Sequence, residues 1–396
     1  MKIGFVLFDY FPFGGLERDC FRIASLCAEQ GHQVTFFTRT WQGELPARMT
    51  VELLGRHGLT IPARNRHFAR KLAEILPQRE LDGIAGFNKL PGLDVYYGAD
   101  PCYAAALEQK PPWKRWLPRS RQYLDFERAV FQRGARTVIL QYIPRDIPLY
   151  KQFYGTEDRF HVLPPNARRH EFSAADQSAA RRRVREQNGW SADALVLLFV
   201  GSDFRRKGLD RAIRALAALD PALLHRARLA VLGRDEPGRF VRLAARLGVA
   251  QRVHFLGGRH DVPDWMLAAD VMLHPARSEN TGSVLVEALS FGLPEIVTEV
   301  CGYASHVTEA RAGKVLPEPF DQAALNRALA EAFAPGVLDS WRANAWAYAA
   351  TGVLFGCHER AAEIILETLS RRRAESLSTT RQASVSSPKM GTNRPG

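Results

Sequence analysis

The chain has 396 residues, 46% hydrophobic and 24% charged, and its 54 Lys+Arg against 42 Asp+Glu give a formal charge of +12. At roughly 100–200 residues per domain the length predicts two domains, and the composition excludes a disordered chain, a collagen-like fibre and a small disulfide scaffold. The cationic excess points first to nucleic acid, a reading that depends on where the charges lie, because net charge bears on partners rather than on fold.

Short apolar runs alternate with longer amphipathic ones. Met1–Phe8 meets Asp9 after too few apolar residues for a signal peptide and without a cleavage site, so Ile3–Phe8 reads as a buried strand. Leu16–Glu29 follows as a helix, with Phe21, Ala24, Ser25 and Ala28 at helical spacing. Gln33–Thr38 and Val51–Leu54 read as strands, Arg64–Leu76 as a helix, and Gly83–Phe87, Val95–Gly98, Thr137–Gln141 and Phe160–Leu163 as further strands. The alternation predicts a parallel sheet wrapped by helices over residues 1–165.

Pro164-Pro165 close this half, and the polar stretch Asn166–Gln187 reads as a linker. The pattern then restarts, and residues 166–345 are expected to form a second α/β domain. Its strands are Leu195–Val200, Arg228–Leu232, Val253–Leu256, Met272–His274 and Glu295–Thr298, with helices at Leu209–Ala218 and Pro237–Leu247. Two doubly wound units are expected to face a central cleft, with ligands at the carboxyl ends of the strands. Trp341–Leu369 reads as helical with Ala361, Ile364, Ile365 and Leu369 on one face, and 346–370 is expected to pack back on the first domain. Residues 371–396 read as a disordered basic tail, whose six cations against Glu375 supply +5 of the net charge. No stretch reaches the ~18 apolar residues of a membrane span. The five cysteines, Cys20, Cys27, Cys102, Cys301 and Cys357, are far apart and form no CxxC or Cys/His cluster. They read as small buried hydrophobes in a reducing, cytoplasmic setting, with no metal site.

Three loops could carry chemistry. After the first strand, Phe11–Asp19 includes Gly14-Gly15, which would let backbone approach a ligand at a helix start. It is not GxGxxG, so a nicotinamide site is poorly supported. After the first strand of the second half, Gly201–Gly208 holds Arg205-Arg206-Lys207, which suits a diphosphate or, more plainly, a solvated charge run. The third segment runs from His274 through Glu279, Thr281, Gly282, Ser283 and Val284 to Glu287, then Phe291-Gly-Leu-Pro294. A phosphate would sit on the free N–H groups of 281–284, with a carboxylate on either side for sugar hydroxyls.

Glu279-x7-Glu287 with its glycine and the trailing Gly-Leu-Pro resembles the signature of retaining glycosyltransferases of family four, which have the GT-B fold. More narrowly, Tyr10–Asp19, Gly86–Tyr96, Gly201–Gly208 and Cys301-Gly-Tyr303 are similar to the lipopolysaccharide core heptose glucosyltransferases. The resemblance implies a metal-independent, retaining transfer of glucose from UDP-glucose to inner-core heptose, in outer-core biosynthesis, with no cofactor beyond that donor substrate. It implies Arg206 and Lys207 on the diphosphate, Glu287 on the ribose, Glu279 on the glucosyl hydroxyls, Arg259 near the uracil, and Gly14 and Gly15 closing on the phosphates. Asp19 and Asp100 resemble acids facing the sugar and acceptor, Asp100 being also a plausible helix cap before Pro101. Departing charge on UDP would be met by cations and N–H groups, since no DxD motif occurs. Glu295 departs from the family pattern by entering a strand that is otherwise apolar. A non-hydrolysing UDP-sugar epimerase of the same fold is the alternative enzyme.

Between residues 103 and 132, Trp113, Trp116 and Tyr123 interleave with Lys110, Lys114, Arg115, Arg119 and Arg121. That mixture suits an anionic membrane surface, or single-stranded nucleic acid, or a solvated loop. With a lipid-linked core as acceptor, the membrane is favoured over nucleic acid, and the protein is expected on the cytoplasmic face of the inner membrane.

Overall fold

Thirteen strands form two all-parallel sheets in the computed structural model, which describes residues 1–169 and 173–385. The first sheet holds β1 (Lys2–Val6), β2 (Gln33–Thr38), β3 (Thr50–Leu53), β4 (Gly83–Gly86), β5 (Val95–Gly98), β6 (Val138–Gln141) and β7 (Phe160–Val162), in the order β3-β2-β1-β4-β5-β6-β7. The second holds β8 (Leu195–Val200), β9 (Ala227–Leu232), β10 (Val253–Gly257), β11 (Val271–His274), β12 (Glu295–Thr298) and β13 (Gly313–Leu316), in the order β10-β9-β8-β11-β12-β13. Each sheet starts near its middle and winds outward both ways. The order therefore reverses beside β1/β4 and beside β8/β11, where open α/β sheets gather ligands. The chain divides into two units, Met1–Leu163 with the chain from Cys357 onward, and Pro164–Gly356.

Both sheets are covered on two faces, which is why their strands are near-continuous apolar runs. Phe37, Phe68, Tyr96, Phe131, Ile139 and Tyr150 pack in the first unit, and Leu197, Phe199, Phe204, Leu229, Phe240 and Leu273 in the second. All five cysteines are buried and free.

Several elements differ from the sequence reading. The helix Gly15–Glu29 buries Cys20, Ile23, Ala24 and Cys27, a face rotated from the expected one, with Phe21 only half-buried. The stretch read as a linker, part of which lies outside the described residues, contains the helix Ala174–Gln187. A capping box between Ser173 and Asp176 starts it. Arg181 and Arg185 then hold it to Asp270 at 2.7 and 3.0 Å, so ion pairing replaces the apolar stripe that periodicity looks for. Strand β13 was not expected at all. The C-terminal helical stretch is broken: Val337–Ala350 ends before Gly352 and Gly356, both at positive φ, and a new helix runs Cys357–Val385. Residues 371–385, expected to be disordered, are therefore helical. Arg372 pairs with Asp94 and donates to the Arg136 carbonyl at 2.6 Å, and Arg373 approaches Asp82 at 3.4 Å. Counter-charges on the first unit hold what composition alone assigned to solvent. Residues 386–396 of that tail lie outside the described residues.

Glu295 occupies β12 fully buried, with neither carboxylate oxygen hydrogen-bonded among the described residues, and burial pushes its pKa well up. Burial without a partner favours its neutral form.

Candidate active site

The second unit's site begins where β8 turns through Gly201–Gly208. Gly201 sits at φ +134, and a Cβ there would lie 2.6 Å from Lys207 Cδ, so the lysine stem lies across the glycine. Asp203, also at positive φ, accepts from Arg206 Nε at 3.0 Å, while its carbonyl accepts from the Lys207 N–H at 3.0 Å. A Cβ on Gly208 would be 2.0 Å from the Pro275 carbonyl oxygen, so only glycine lets this turn close on the loop after β11. From that loop Arg277 donates to both carboxylate oxygens of Asp210 at 2.7 Å and to the Arg205 carbonyl at 3.0 Å. The two loops are thereby locked together at the point where strand order reverses.

They deliver one charge cluster. Glu279 receives Arg206 Nη1 at 3.0 Å on Oε1 and Lys207 Nζ at 2.6 Å on Oε2, with His274 Nε2 3.5 Å from the latter oxygen. The Glu279 side chain is 9% exposed. Burial alone would raise its pKa, but hydrogen bonds from His274, Lys207 and Arg206 outweigh burial and hold the carboxyl well below the usual carboxylate range. Burial lowers the His274 pKa from its ordinary value, which favours the uncharged imidazole. Two cations meet two carboxylates here, the buried Glu279 and the exposed Asp203, and it is the donor geometry of an Arg beside a Lys, not a net charge, that suits an anion with several oxygens.

Beside the cluster, Gly282 at φ +73 caps the helix Ser283–Ser290, on which Ser283 is exposed and Glu287 half-buried. Gly302 N and Tyr303 N donate to the carbonyls of Asn280 and Thr281, both at 2.8 Å, so the Cys301–Tyr303 loop straps the approach to that helix. Burial pushes the Cys301 thiol up to about 12, leaving it an inert hydrophobe. At the carboxyl ends of β8, β9 and β10 opens a pocket of about 350 Å³ lined by Gly201, Ser202, Gly233, Arg234, Gly258 and Arg259. Arg259 is held by Asp261 through two 2.6 Å bonds and lies 5.5 Å from the Trp265 ring centroid.

In the first unit the loop after β1 carries Gly14 and Gly15 at the start of the helix that bears Asp19. Gly15 faces open space, with no heavy atom outside its chain neighbours and its own helix backbone within 4 Å of where a Cβ would stand, whereas a Cβ on Gly14 would meet the Glu17 carboxylate. Asp19 is fully engaged: Tyr97 and Tyr142 hydroxyls donate at 3.1 Å, and His358 Nε2 lies 2.8 Å away. Asp100 is exposed beyond β5, with its carbonyl receiving the Tyr150 hydroxyl at 3.0 Å. It does not cap the following helix, Tyr103–Glu108, whose first N–H groups go to Glu127. A second carboxylate of this face, Asp9, pairs with Arg39 and, at 3.1 Å, with Arg56, and accepts from Thr40 at 2.8 Å. Burial would raise its pKa, but these partners hold it low.

Residues 180–350 match the family model described as glycosyl transferases group 1, a span that takes in the whole charge cluster. Over 368 residues, 92% of this chain, the sequence is 42% identical to the lipopolysaccharide glucosyltransferase WaaG of Escherichia coli (strain K12), covering 98% of that protein. The chain belongs to the group 1 glycosyl transferases. Its fold is that of the WaaG crystal structure, with a TM-score of 0.77 at 41% identity over 92% of this chain and 99% of that one. The structure of Anabaena Alr3699/HepE in complex with UDP and glucose shares the fold at a TM-score of 0.66 and 20% identity, covering 94% of this chain and all of that one.

For this glycosyltransferase, the sequence located the residues better than their arrangement. Arg206 and Lys207, expected on the donor diphosphate, and Glu279, expected on the glucosyl hydroxyls, are one ion cluster with His274, a residue to which the sequence assigned no role. Thr281, Gly282, Ser283, Val284 and Glu287 stand together on the adjoining helix start, and Arg259 lines the pocket. Arg234 and Ser202 in that pocket were missed, as were Asp9, Arg39 and Arg56. The signal available for Asp9 was its place at the end of the first strand, and for Ser202 and Arg234 their places just beyond β8 and β9.

Proposed function

We propose that this glycosyltransferase transfers glucose from UDP-glucose to the inner-core heptose of lipopolysaccharide, with retention of configuration. The observation that carries the reading is the Arg206–Lys207–Glu279 cluster at the strand-order reversal, in a chain 42% identical along nearly its whole length to a lipopolysaccharide glucosyltransferase.

On this reading the donor diphosphate takes Arg206, Lys207 and the N–H groups of 281–284, the uridine enters the pocket beside Arg259, and Glu287 accepts from the ribose. The approximately 350 Å³ of that pocket has room for a nucleoside. Glu279 does two jobs. As a permanent anion it orients both cations, and it accepts from glucosyl hydroxyls. As the glycosidic bond to UDP breaks, negative charge grows on the phosphate oxygen already facing fixed cations, where preorganised charge lowers the barrier. The leaving phosphate takes the acceptor proton on the same face, so no covalent nucleophile is assigned, and no metal is needed for the charge. Gly14 and Gly15 would give backbone approach to the phosphates, with Asp100 toward the acceptor hydroxyl. Asp19 serves that face from within its Tyr97–Tyr142–His358 net.

The lipid-linked acceptor explains the remaining charge. Trp113 and Trp116 are exposed on the short turn Pro112–Trp116, and Arg119 and Arg121 stack near Tyr123 and Trp116 at 5.6 and 5.3 Å. Cations beside indoles at the surface suit the anionic headgroups of the inner membrane's cytoplasmic face. No described helix is long and apolar enough to cross a bilayer. The test is the mass of core oligosaccharide from cells with and without the protein: loss of the first hexose and everything beyond it supports the reading, and an unchanged core overturns it. Release of a 2-epimer from UDP-sugar without acceptor would instead mark an epimerase.

A further inference from the structure

The motif Gly86–Tyr96 contains Lys89, a residue with no part in the donor chemistry, and the structure pairs it in the core with Glu127. Lys89 is 8% exposed and Glu127 is fully buried on the helix Pro118–Phe131. The pair grips one loop. Lys89 Nζ donates to the Pro101 carbonyl at 2.8 Å. Glu127 Oε2 accepts from the Tyr103 N–H at 2.8 Å, and Oε1 from the Ala104 N–H at 3.0 Å and the Tyr154 hydroxyl at 2.7 Å. Tyr150, under the Lys89 ammonium at 5.5 Å, donates to the Asp100 carbonyl at 3.0 Å.

Four backbone groups between Asp100 and Ala104 are thus fixed by one ion pair and a tyrosine it packs on. A buried pair of this kind adds little stability over apolar residues of the same shape, because desolvation offsets the attraction. A helix start can be capped by a local Ser or Asp far more simply. What only this arrangement supplies is a fixed path for the chain carrying Asp100, whose side chain is exposed at the carboxyl end of β5, next to the loop after β4 that bears Lys89.

We propose that Lys89 and Glu127 are positioning residues for the transfer reaction, holding the Asp100 loop in its acceptor-ready geometry; this rests on the reading of Asp100 as an acceptor-side group. The test uses the full chain and three variants: E127Q, K89M and K89M/E127Q. The double variant removes both charges while keeping both shapes, so no buried charge is left unpaired; it is expected to fold, with a Tm lowered by the loop groups that lose their partners. Its kcat is expected to fall about 100-fold, the scale of a misplaced reacting group, with the KM for UDP-glucose unchanged because the pair and the loop it holds include none of the residues assigned to the donor. Amide exchange at Tyr103 and Ala104 should accelerate in the same samples. A double variant with native kcat, or native exchange protection at those amides, overturns the proposal. If the native protein transfers no sugar, the transferase reading fails on its own, while the exchange data still decide whether the pair holds the loop.

Discussion

Replacing Lys207 by Met removes one of the two cations facing Glu279 while keeping the stem that crosses Gly201. At 2.6 Å and an effective dielectric near 20 the gross attraction is about 6 kcal/mol. Desolvation cancels part of it, and breaking a buried pair by losing one partner costs about 3–5 kcal/mol. Arg206 still faces Glu279 at 3.0 Å, and Lys207 is 14% exposed, so the low end, about 3 kcal/mol, applies. For a unit of this size that lowers Tm by roughly 6–12 °C. The chemical cost is separate: a fixed cation lost from the developing phosphate charge should lower kcat by about 10²–10³-fold. Calorimetry and initial rates on the same preparations read both numbers. A variant that melts with the native protein and turns over at the native rate would refute the cluster as either a structural or a catalytic unit.

The Glu279 carboxyl is held far below its ordinary 4.5, so its stabilising charge is fully present above that value and is lost only as pH falls through the depressed pKa; the Tm gap between native protein and E279Q should stay constant from pH 8 to about 5 and narrow below about 4. Changing Lys114, Arg115 and Arg119 together to Gln should weaken binding to phosphatidylglycerol vesicles on the order of 100-fold, at about 1 kcal/mol per cation, in a sedimentation assay, while leaving neutral vesicles alone. R372Q, which removes the half-buried contacts to Asp94 and the Arg136 carbonyl, should cost the first unit about 1–2 kcal/mol and expose the chain after Leu369 to limited proteolysis.

The sheets were legible because both are parallel and buried on two faces, so the central strands are largely apolar runs; Gln33–Thr38, Val95–Gly98 and Glu295–Thr298 match residue for residue. Much of what escaped was held by charge. The helix Ala174–Gln187 has a polar sequence and docks through Arg181 and Arg185, and residues 371–385 dock through Arg372 and Arg373, so hydrophobic periodicity had nothing to find. Trp113 and Trp116 stood out as a surface patch, but the helix Pro118–Phe131 beneath it, which buries Phe126, Glu127, Val130 and Phe131, did not. At the site, loop position told where Arg206, Lys207 and Glu279 would be. Their mutual pairing depends on Gly208 touching Pro275 across 67 residues, a distance relation that no local pattern encodes.

The central claim is sugar transfer with retention, and one measurement meets it directly: incubate the purified protein with UDP-glucose and a heptose-terminated core acceptor, and read the new linkage by NMR. The account predicts a single added glucose with the donor's α configuration and stoichiometric release of UDP. A β linkage, or consumption of UDP-glucose without a glycosylated acceptor, would contradict it.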